Sequence, residues 1–266
     1  MKVYKAYAKV NIFLKITGKR ENYHELVSRF MRVNSLYDEL SFIPKTEKEF
    51  KIIGDFSCTT EQNTIYKAYV ALEAATGSES LKNFMVTHAV NVKKQIPAFA
   101  GLGGGSSNAA TYLKMCNEVL DLGLTLDELA RIGAKVGADV AFFIYGYESA
   151  NVSGVGEIVE EFKEEILDFE IFTPKLEIST PKVYQIYRDD FYKPISEIEA
   201  QRLKNITSLE ILENWSAKEA NDLFEPALQE YEELKKYVKD GWHFSGSGSS
   251  FFRNADKIYK QAGEIR

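Results

Sequence analysis

Apolar and polar positions alternate with a period of two over residues 3–16: Val10, Ile12, Leu14 and Ile16 fall on one side of an extended chain, Lys9, Asn11, Phe13 and Lys15 on the other. This predicts one or two strands, with Lys9 and Asn11 pointing the same way. Strand signals recur near 33–43 and 50–56, and over 86–93 Val86, His88, Val90 and Val92 alternate with Thr87, Ala89, Asn91 and Lys93. Residues 17–25 are polar and read as a loop. Helical spacing is carried by Ile65, Tyr69, Leu72 and Ala75 within 63–75, and by Ala109, Leu113, Cys116 and Leu120 further on. Thr125-Leu-Asp-Glu128 has the form of a capping box, in which Thr and Glu satisfy each other's backbone amides, and predicts a helix to about Val136. Gly137-Ala138-Asp139 interrupts it, and the apolar run Val140–Tyr145 fits a buried strand or a short helix.

The small, turn-rich stretch Gly146–Gly156 is the candidate boundary between two domains, 1–151 and 152–266. In the second half, 170–180 reads as strand and 195–233 as largely helical. Residues 242–252 hold a glycine-serine loop between apolar segments. The sequence shows no internal repeat. This order of elements is α+β, not a regular alternation of parallel βαβ units.

Composition narrows the function classes. A chain of 266 residues with 45% hydrophobic content can bury a substantial core. A net charge of −6 argues against a general nucleic-acid binder, which needs a basic surface to displace counterions. Cys58 and Cys116 are far apart without a Cys-x-x-Cys, so neither a zinc site nor a disulfide framework is indicated, and a reducing cytoplasm fits. Lys2, Lys5, Lys9 and Lys15 interrupt any signal-peptide core, and no run approaches the ~18 apolar residues that span a bilayer. His24, His88 and His243 lack ligand spacing, so a metal held by protein alone is not expected.

The run Pro97-Ala-Phe-Ala-Gly101-Leu102-Gly103-Gly104-Gly105-Ser106-Ser107 carries the most chemistry. Glycines at these positions let backbone N–H groups converge on an anion, and the unpaired amides of a following helix add positive potential. Ser106 and Ser107 offer hydroxyls to a phosphate oxygen or a metal. A Walker A loop is excluded because Gly105 is followed by Ser, not Lys, and the dinucleotide fingerprint fails for want of a glycine at 106. Neither His-Arg-Asp nor Asp-Phe-Gly of the protein kinases is present. The bland alternative is a flexible strand-to-helix turn, which seldom combines this glycine density with a helix start.

Phosphoryl transfer also needs a cation for developing charge and a group that positions or deprotonates the acceptor hydroxyl. Lys9, with Asn11 beside it, is the candidate cation, and Asp139 the candidate acid–base group. Taken alone, a strand lysine is more often a solvated edge residue, and an Asp at such a junction more often a cap or turn former.

Pro97 through Ser107 is similar to the second motif of the GHMP kinases, the small-molecule kinases named for galactokinase, homoserine kinase, mevalonate kinase and phosphomevalonate kinase: Pro-x-x-x-Gly-Leu-Gly-x-x-Ser-Ser. Ala8-Lys9-Val10-Asn11 with Phe13-Leu14, Thr17-Gly18-Lys19-Arg20, Tyr23-His24-Glu25-Leu26, Gly137-Ala-Asp139-Val140, Gly154-Val-Gly156-Glu157, Thr180-Pro181, Asn221-Asp222 and Ser245-Gly-Ser-Gly-Ser-Ser250 further resemble one branch, the 4-diphosphocytidyl-2-C-methyl-D-erythritol kinases of the non-mevalonate isoprenoid pathway. These matches run in order from position 8 to 250. The sequence departs from the branch in Glu21-Asn22 ahead of Tyr23-His24, where Asp-Gly is usual, and in the serines Ser247 and Ser249 of the last motif.

The resemblance implies a two-domain α+β GHMP kinase fold, with a ribosomal-protein-S5-like N-terminal domain that binds ATP and a ferredoxin-like C-terminal domain that binds substrate. It implies ATP and Mg²⁺ as cofactors, with Ser106 or Ser107 the candidate to reach the metal. It also implies a small-molecule alcohol as partner, neither nucleic acid nor membrane, a cytoplasmic location, and a monomer or homodimer. Carried over by position, Lys9 and Asp139 are catalytic. Asn63, Lys94, Pro97, Gly101, Leu102, Gly103, Gly104, Gly105, Ser106 and Ser107 lie on the nucleotide side. Asn11, Tyr23, His24, Thr180, Pro181, Tyr184, Gly246 and Gly248 lie on the substrate side, where Tyr23 and Tyr184 sandwich a cytosine whose edge His24 reads. Homoserine and mevalonate kinases have no cytosine to stack, so this trio separates the branch from its relatives. A non-catalytic nucleotide sensor of the same fold would need neither Lys9 nor Asp139.

Overall fold

The computed structural model describes residues 2–21 and 23–255. The chain groups into two compact units: the described residues of Met1–Ala8, Leu36–Ala98 and Gly103–Tyr147 form one, and those of Lys9–Ser35, Phe99–Leu102 and Glu148–Arg266 form the other. The units therefore interleave along the chain, and the line between them differs from a single boundary after 151. Two long strands contribute residues to both, β1 (Tyr4–Arg20) and its partner β2 (Tyr23–Pro44).

In the first unit the end of β2 pairs antiparallel with β4 (His88–Lys93), Leu40 opposite Val92 and Phe42 opposite Val90, and the short β3 (Ile52–Ile53) runs parallel to β4. Helices α1 (Thr64–Thr76), α2 (Glu79–Thr87), α3 (Gly104–Val119), α4 (Leu126–Ala134) and α5 (Val140–Tyr145) complete it. α3 packs against α1, α4 and α5 and is buried along most of its length. Its apolar face, small alanines and Tyr112 are thus enclosed, which holds its N-terminus, the end that carries the glycines, rigidly in place. The capping box of α4 is present on both sides, Thr125 with Glu128. Val140–Tyr145 forms a helix ended by Gly146 in the left-handed region at φ 73°.

In the second unit β5 (Ser149–Gly154) lies antiparallel to the start of β2, with Leu26 opposite Gly154 and Met31 opposite Ser149, and β6 (Ile158–Glu161) pairs with β5. β7 (Phe169–Phe172), β8 (His243–Phe244) and β9 (Phe251–Asn254) form an antiparallel sheet in the order β7-β9-β8. Helices α6 (Thr180–Ile186), α7 (Glu197–Asn205), α8 (Ser208–Asn214), α9 (Ala217–Ala220) and α10 (Phe224–Glu230) accompany it. Its core joins Leu14, Ile16, Leu26, Val183, Phe224, Phe244 and Phe251.

Several sequence expectations change: the strand expected over 170–180 covers only Phe169–Phe172, and Thr180 already opens α6. The loop expected over 17–25 is mostly strand, because Arg20 donates to Glu25 (3.0 Å) and Glu157 (2.8 Å), so charge pairs do the work that apolar alternation does elsewhere; Asn22 of that stretch lies outside the described residues. Val86 belongs to α2, whose Ser78 N-cap accepts the Leu81 amide, and the strand begins only at His88. The turn-rich stretch 146–156 contains β5. Its small polar residues are buried there because Asn151 Oδ1 accepts from Arg29 Nε at 2.8 Å, part of a network in which the buried Arg29 also meets Glu164 and stacks over Phe162.

Candidate functional site

In the first unit, the residues before the glycines are anchored by Asp38. This buried carboxylate accepts the Lys94 ammonium at Oδ2 (2.5 Å) and the amides of Gln95 (2.6 Å) and Ile96 (2.8 Å) at Oδ1. Pro97 follows directly. Gly103 is the N-cap of α3 at φ 71°, a conformation that costs an L side chain about 1–2 kcal/mol. A Cβ on Gly104 would lie 2.8 Å from Ile96 and 3.6 Å from Lys94 Nζ, so the lysine head sits at the first residue of α3. Asn63, expected on the nucleotide side, is the N-cap of α1, accepting from Ile65 N at 2.9 Å, and the next residue, Thr64, donates to the Gly105 carbonyl at 2.7 Å. The starts of α1 and α3 are therefore tied together.

Ser107 is 1% exposed, whereas Ser106 is half-buried and its Oγ lies 3.6 Å from where a Cβ on Gly137 would stand. The two serines separate on this basis: Ser107 faces the packed interior, Ser106 faces the turn that leads to Asp139. Asp139 occupies the N-cap position of α5, yet its carboxylate does not cap the helix. Asp139 does lie in the turn that precedes the helix, as a turn-forming Asp would.

In the second unit, Lys9 is only 3% exposed, so it is no solvated edge lysine. Its Nζ donates to Asn11 Oδ1 at 2.5 Å and stands 4.4 Å from the Phe30 ring centroid. The Asn11 amide is oriented by Ser28, whose Oγ accepts from Nδ2 at 3.0 Å and donates to the Phe13 carbonyl at 2.5 Å. The Lys9 amide binds the Leu102 carbonyl at 3.0 Å.

Gly101 and Leu102 group with this unit, where they meet the second glycine-serine loop. Ser245 Oγ donates to the Gly101 carbonyl at 2.9 Å, and the Ser250 amide to the Ala100 carbonyl at 3.1 Å. Gly246 approaches Asn11, with its Cβ position 3.3 Å from Oδ1. Asn221 holds this loop by donating to the carbonyls of Phe244 (2.9 Å) and Gly246 (2.8 Å), and Thr180 shares a 2.6 Å hydroxyl–hydroxyl bond with Ser247. Pro181 stands in the first turn of α6, where its missing N–H costs nothing. Gly248, at φ 95°, backs onto the Phe244 ring.

Tyr23 and Tyr184 do not form a ready-made sandwich. Tyr23 is 66% exposed, and the Tyr184 ring is stacked on His24 at 5.3 Å between centroids. His24 is also in contact with the rings of Tyr187 and Tyr192. It is 5% exposed, and its buried Nε2 has no hydrogen-bond partner among the described residues. Burial, with Arg188 and Lys19 nearby, lowers its pKa below the usual 6.5, so the neutral ring is favoured. A His lowered on folding stabilises above its unfolded pKa and loses that contribution as pH falls from about 6.5 toward the folded value. NMR titration of the His24 ring proton, assigned with His24→Gln, is expected to give a midpoint below 6.5; a midpoint at or above it contradicts this environment.

Sequence reasoning missed Asp38, Ser28 and Thr64. Asp38 had left a signal, since it shares the inward face of β2 with Leu40 and Phe42.

Residues 63–147 match the GHMP kinases N terminal domain, and the chain has the GHMP kinase fold. The mevalonate kinase crystal structure shares this fold, with a TM-score of 0.61 at 14% identity over 100% of this chain and 95% of that one. A 4-diphosphocytidyl-2-C-methyl-D-erythritol kinase of Sulfurimonas denitrificans is 66% identical over 97% of this chain and 98% of its own, and the Helicobacter pylori enzyme of that name 40% identical over 94% and 93%. The crystal structure of 4-(cytidine 5'-diphospho)-2C-methyl-D-erythritol kinase superposes with a TM-score of 0.71, at 29% identity over 99% of this chain and 94% of that one. The chain belongs to the 4-diphosphocytidyl-2-C-methyl-D-erythritol kinase family and is an ATP-dependent kinase. Among the described residues no helix is long and apolar enough to cross a membrane.

Proposed function

We propose that this chain transfers the γ-phosphoryl group of ATP to the 2-hydroxyl of 4-diphosphocytidyl-2-C-methyl-D-erythritol, a step in isoprenoid precursor synthesis. The full-length relationship to that family carries the reading. The geometry supplies candidates for each role. α3 offers free amides at its glycine-lined start for the phosphates, and Lys94 adds a fixed cation there. Lys9 balances charge on the transferring group, Asp139 accepts or orients the hydroxyl proton, and Asn11 holds Lys9 and meets substrate. His24, with its unpartnered Nε2, reads the cytosine edge, and Tyr23 closes on the base. Thr180, Pro181, Gly246 and Gly248 line the remainder of the substrate path. Residues 152–266 thus join Asn11, Tyr23 and His24 in substrate binding, while Asn63, Lys94 and the glycine run within 1–151 serve ATP.

Mg²⁺ fits these residues: the half-buried Ser106 hydroxyl is a hard oxygen donor at the glycine-lined start of α3, and such a site takes most of its oxygens from phosphate and water. Bound there, the ion would neutralise phosphate charge. The protein's own task is positioning, with no phosphoenzyme. A cytoplasmic monomer or homodimer is the setting proposed, in keeping with the free cysteines Cys58 and Cys116.

The assay compares ADP release with ATP, Mg²⁺ and the cytidine diphospho-sugar alcohol against homoserine and mevalonate. Release is expected with the cytidine compound alone, and Tyr23→Ala should chiefly raise its KM. Equal release with all three alcohols, or none with the first, overturns the assignment.

A further inference from the structure

Three hydrogen bonds of Asp38 converge on the residues that enter the glycine run. We propose that Asp38 is a positioning residue for ATP: its carboxylate fixes the Lys94 ammonium at the start of α3 and sets the approach of the chain to the phosphate loop. The inference rests on the reading of Lys94 as a nucleotide-side cation.

The side chain of Asp38 is fully buried, on a β2 face otherwise apolar at Leu40 and Phe42, where an unpaired carboxylate would be costly. It is retained with all its bonding directed at one tripeptide, Lys94-Gln95-Ile96. Oδ1 takes two consecutive backbone amides, which locks the turn after β4. Oδ2 takes Lys94 Nζ, whose side chain is 17% exposed. A lysine has four rotatable side-chain bonds, and a solvated one samples many positions; the charge-assisted bond to a fixed oxygen selects one. That position is 3.6 Å from the Cβ site of Gly104, where the open amides of α3 begin. Ile96 does the complementary work, packing 2.8 Å from the same Cβ site and leaving room for glycine only. Lys94 is thereby aimed without its charge being left uncompensated before the nucleotide arrives.

Asp38→Asn keeps an oxygen for the two amides and replaces the lysine's acceptor with an N–H donor. It is expected to raise KM for ATP about tenfold, the scale of a displaced binding group, while KM for the alcohol stays within twofold. Lys94→Met should raise KM for ATP at least as much, and Asp38→Asn/Lys94→Met no further, because both remove one contact. If Lys94→Met leaves KM for ATP unchanged, Lys94 is no nucleotide contact and the underlying reading falls. If Lys94→Met raises it but Asp38→Asn does not, or the two effects multiply, positioning by Asp38 is overturned. Should Asp38→Asn lose its cooperative thermal transition, Lys94→Arg decides: it keeps the charge but moves it off the Asp38-fixed point. A several-fold rise in KM for ATP supports the proposal, and a wild-type value overturns it.

Discussion

Asp139→Asn is expected to bind ATP as the unaltered chain does and to lose turnover by about 10²–10⁴-fold, the usual contribution of a positioned acid–base group. The substitution preserves the size of the side chain and an acceptor oxygen. It removes the negative charge and the ability to take a proton. A thermal midpoint recorded alongside separates chemistry from folding. Single-turnover rates with saturating ATP and alcohol, alongside ATP binding by calorimetry, make the measurement. Turnover near that of the unaltered chain would show that Asp139 is not the base. A collapse of ATP binding with an unchanged single-turnover rate would move it to the nucleotide side.

Gly101→Ala should be the most damaging of the small substitutions, lowering kcat/KM by about 10²-fold through displacement of the phosphate loop. Gly101 adopts φ 73°, and a Cβ there would lie 2.0 Å from the Ser245 carbonyl oxygen and 3.1 Å from that of Gly248. Both are backbone atoms, so no side-chain rotation relieves the overlap. Ser245 is itself held, its hydroxyl on the Gly101 carbonyl, with Asn221 on the carbonyls to either side of it. The two glycine loops must therefore part. Gly77→Ala is the control: Gly77 has φ 59° but nothing within 4 Å of its Cβ site, so only the conformational cost remains, about 1–2 kcal/mol, with activity intact. Equal losses in the two variants would show that the conformation at Gly101 matters and the contact with Ser245 does not.

Much of the candidate site was legible because its chemistry is local. Four glycines before two serines specify an anion-binding helix start at whatever place the fold puts it, and Thr125 with Glu128 marks a helix start from four residues. The strand over 10–16 and the helix after the glycines followed from spacing alone. Elements with poor patterns were lost for equally physical reasons. Arg20, Glu25 and Glu157 hold strand structure in a polar stretch through cross-strand pairs that no single segment displays. β5 consists of small polar residues whose burial is met by partners distant in sequence, Arg29 among them.

The sequence by itself determined the glycine-rich helix start, the α+β class and, by colinear resemblance, the family, with Lys9 and Asp139 as its catalytic candidates. Only the tertiary structure decided what those residues are free to do. It withdrew Lys9 from solvent and set it on Asn11 and Phe30, left the Asp139 carboxylate off the helix it precedes, turned Asn63 into a helix cap and Ser107 inward, and gave His24 an unpartnered nitrogen. It also brought Asp38 to Lys94 and Ser245 to Gly101, pairs separated by 56 and 144 positions. The reason is common to all of these. Hydrogen-bond partners and burial are set by where the folded backbone places groups remote in sequence, whereas glycine conformation and helix capping are settled within a few residues.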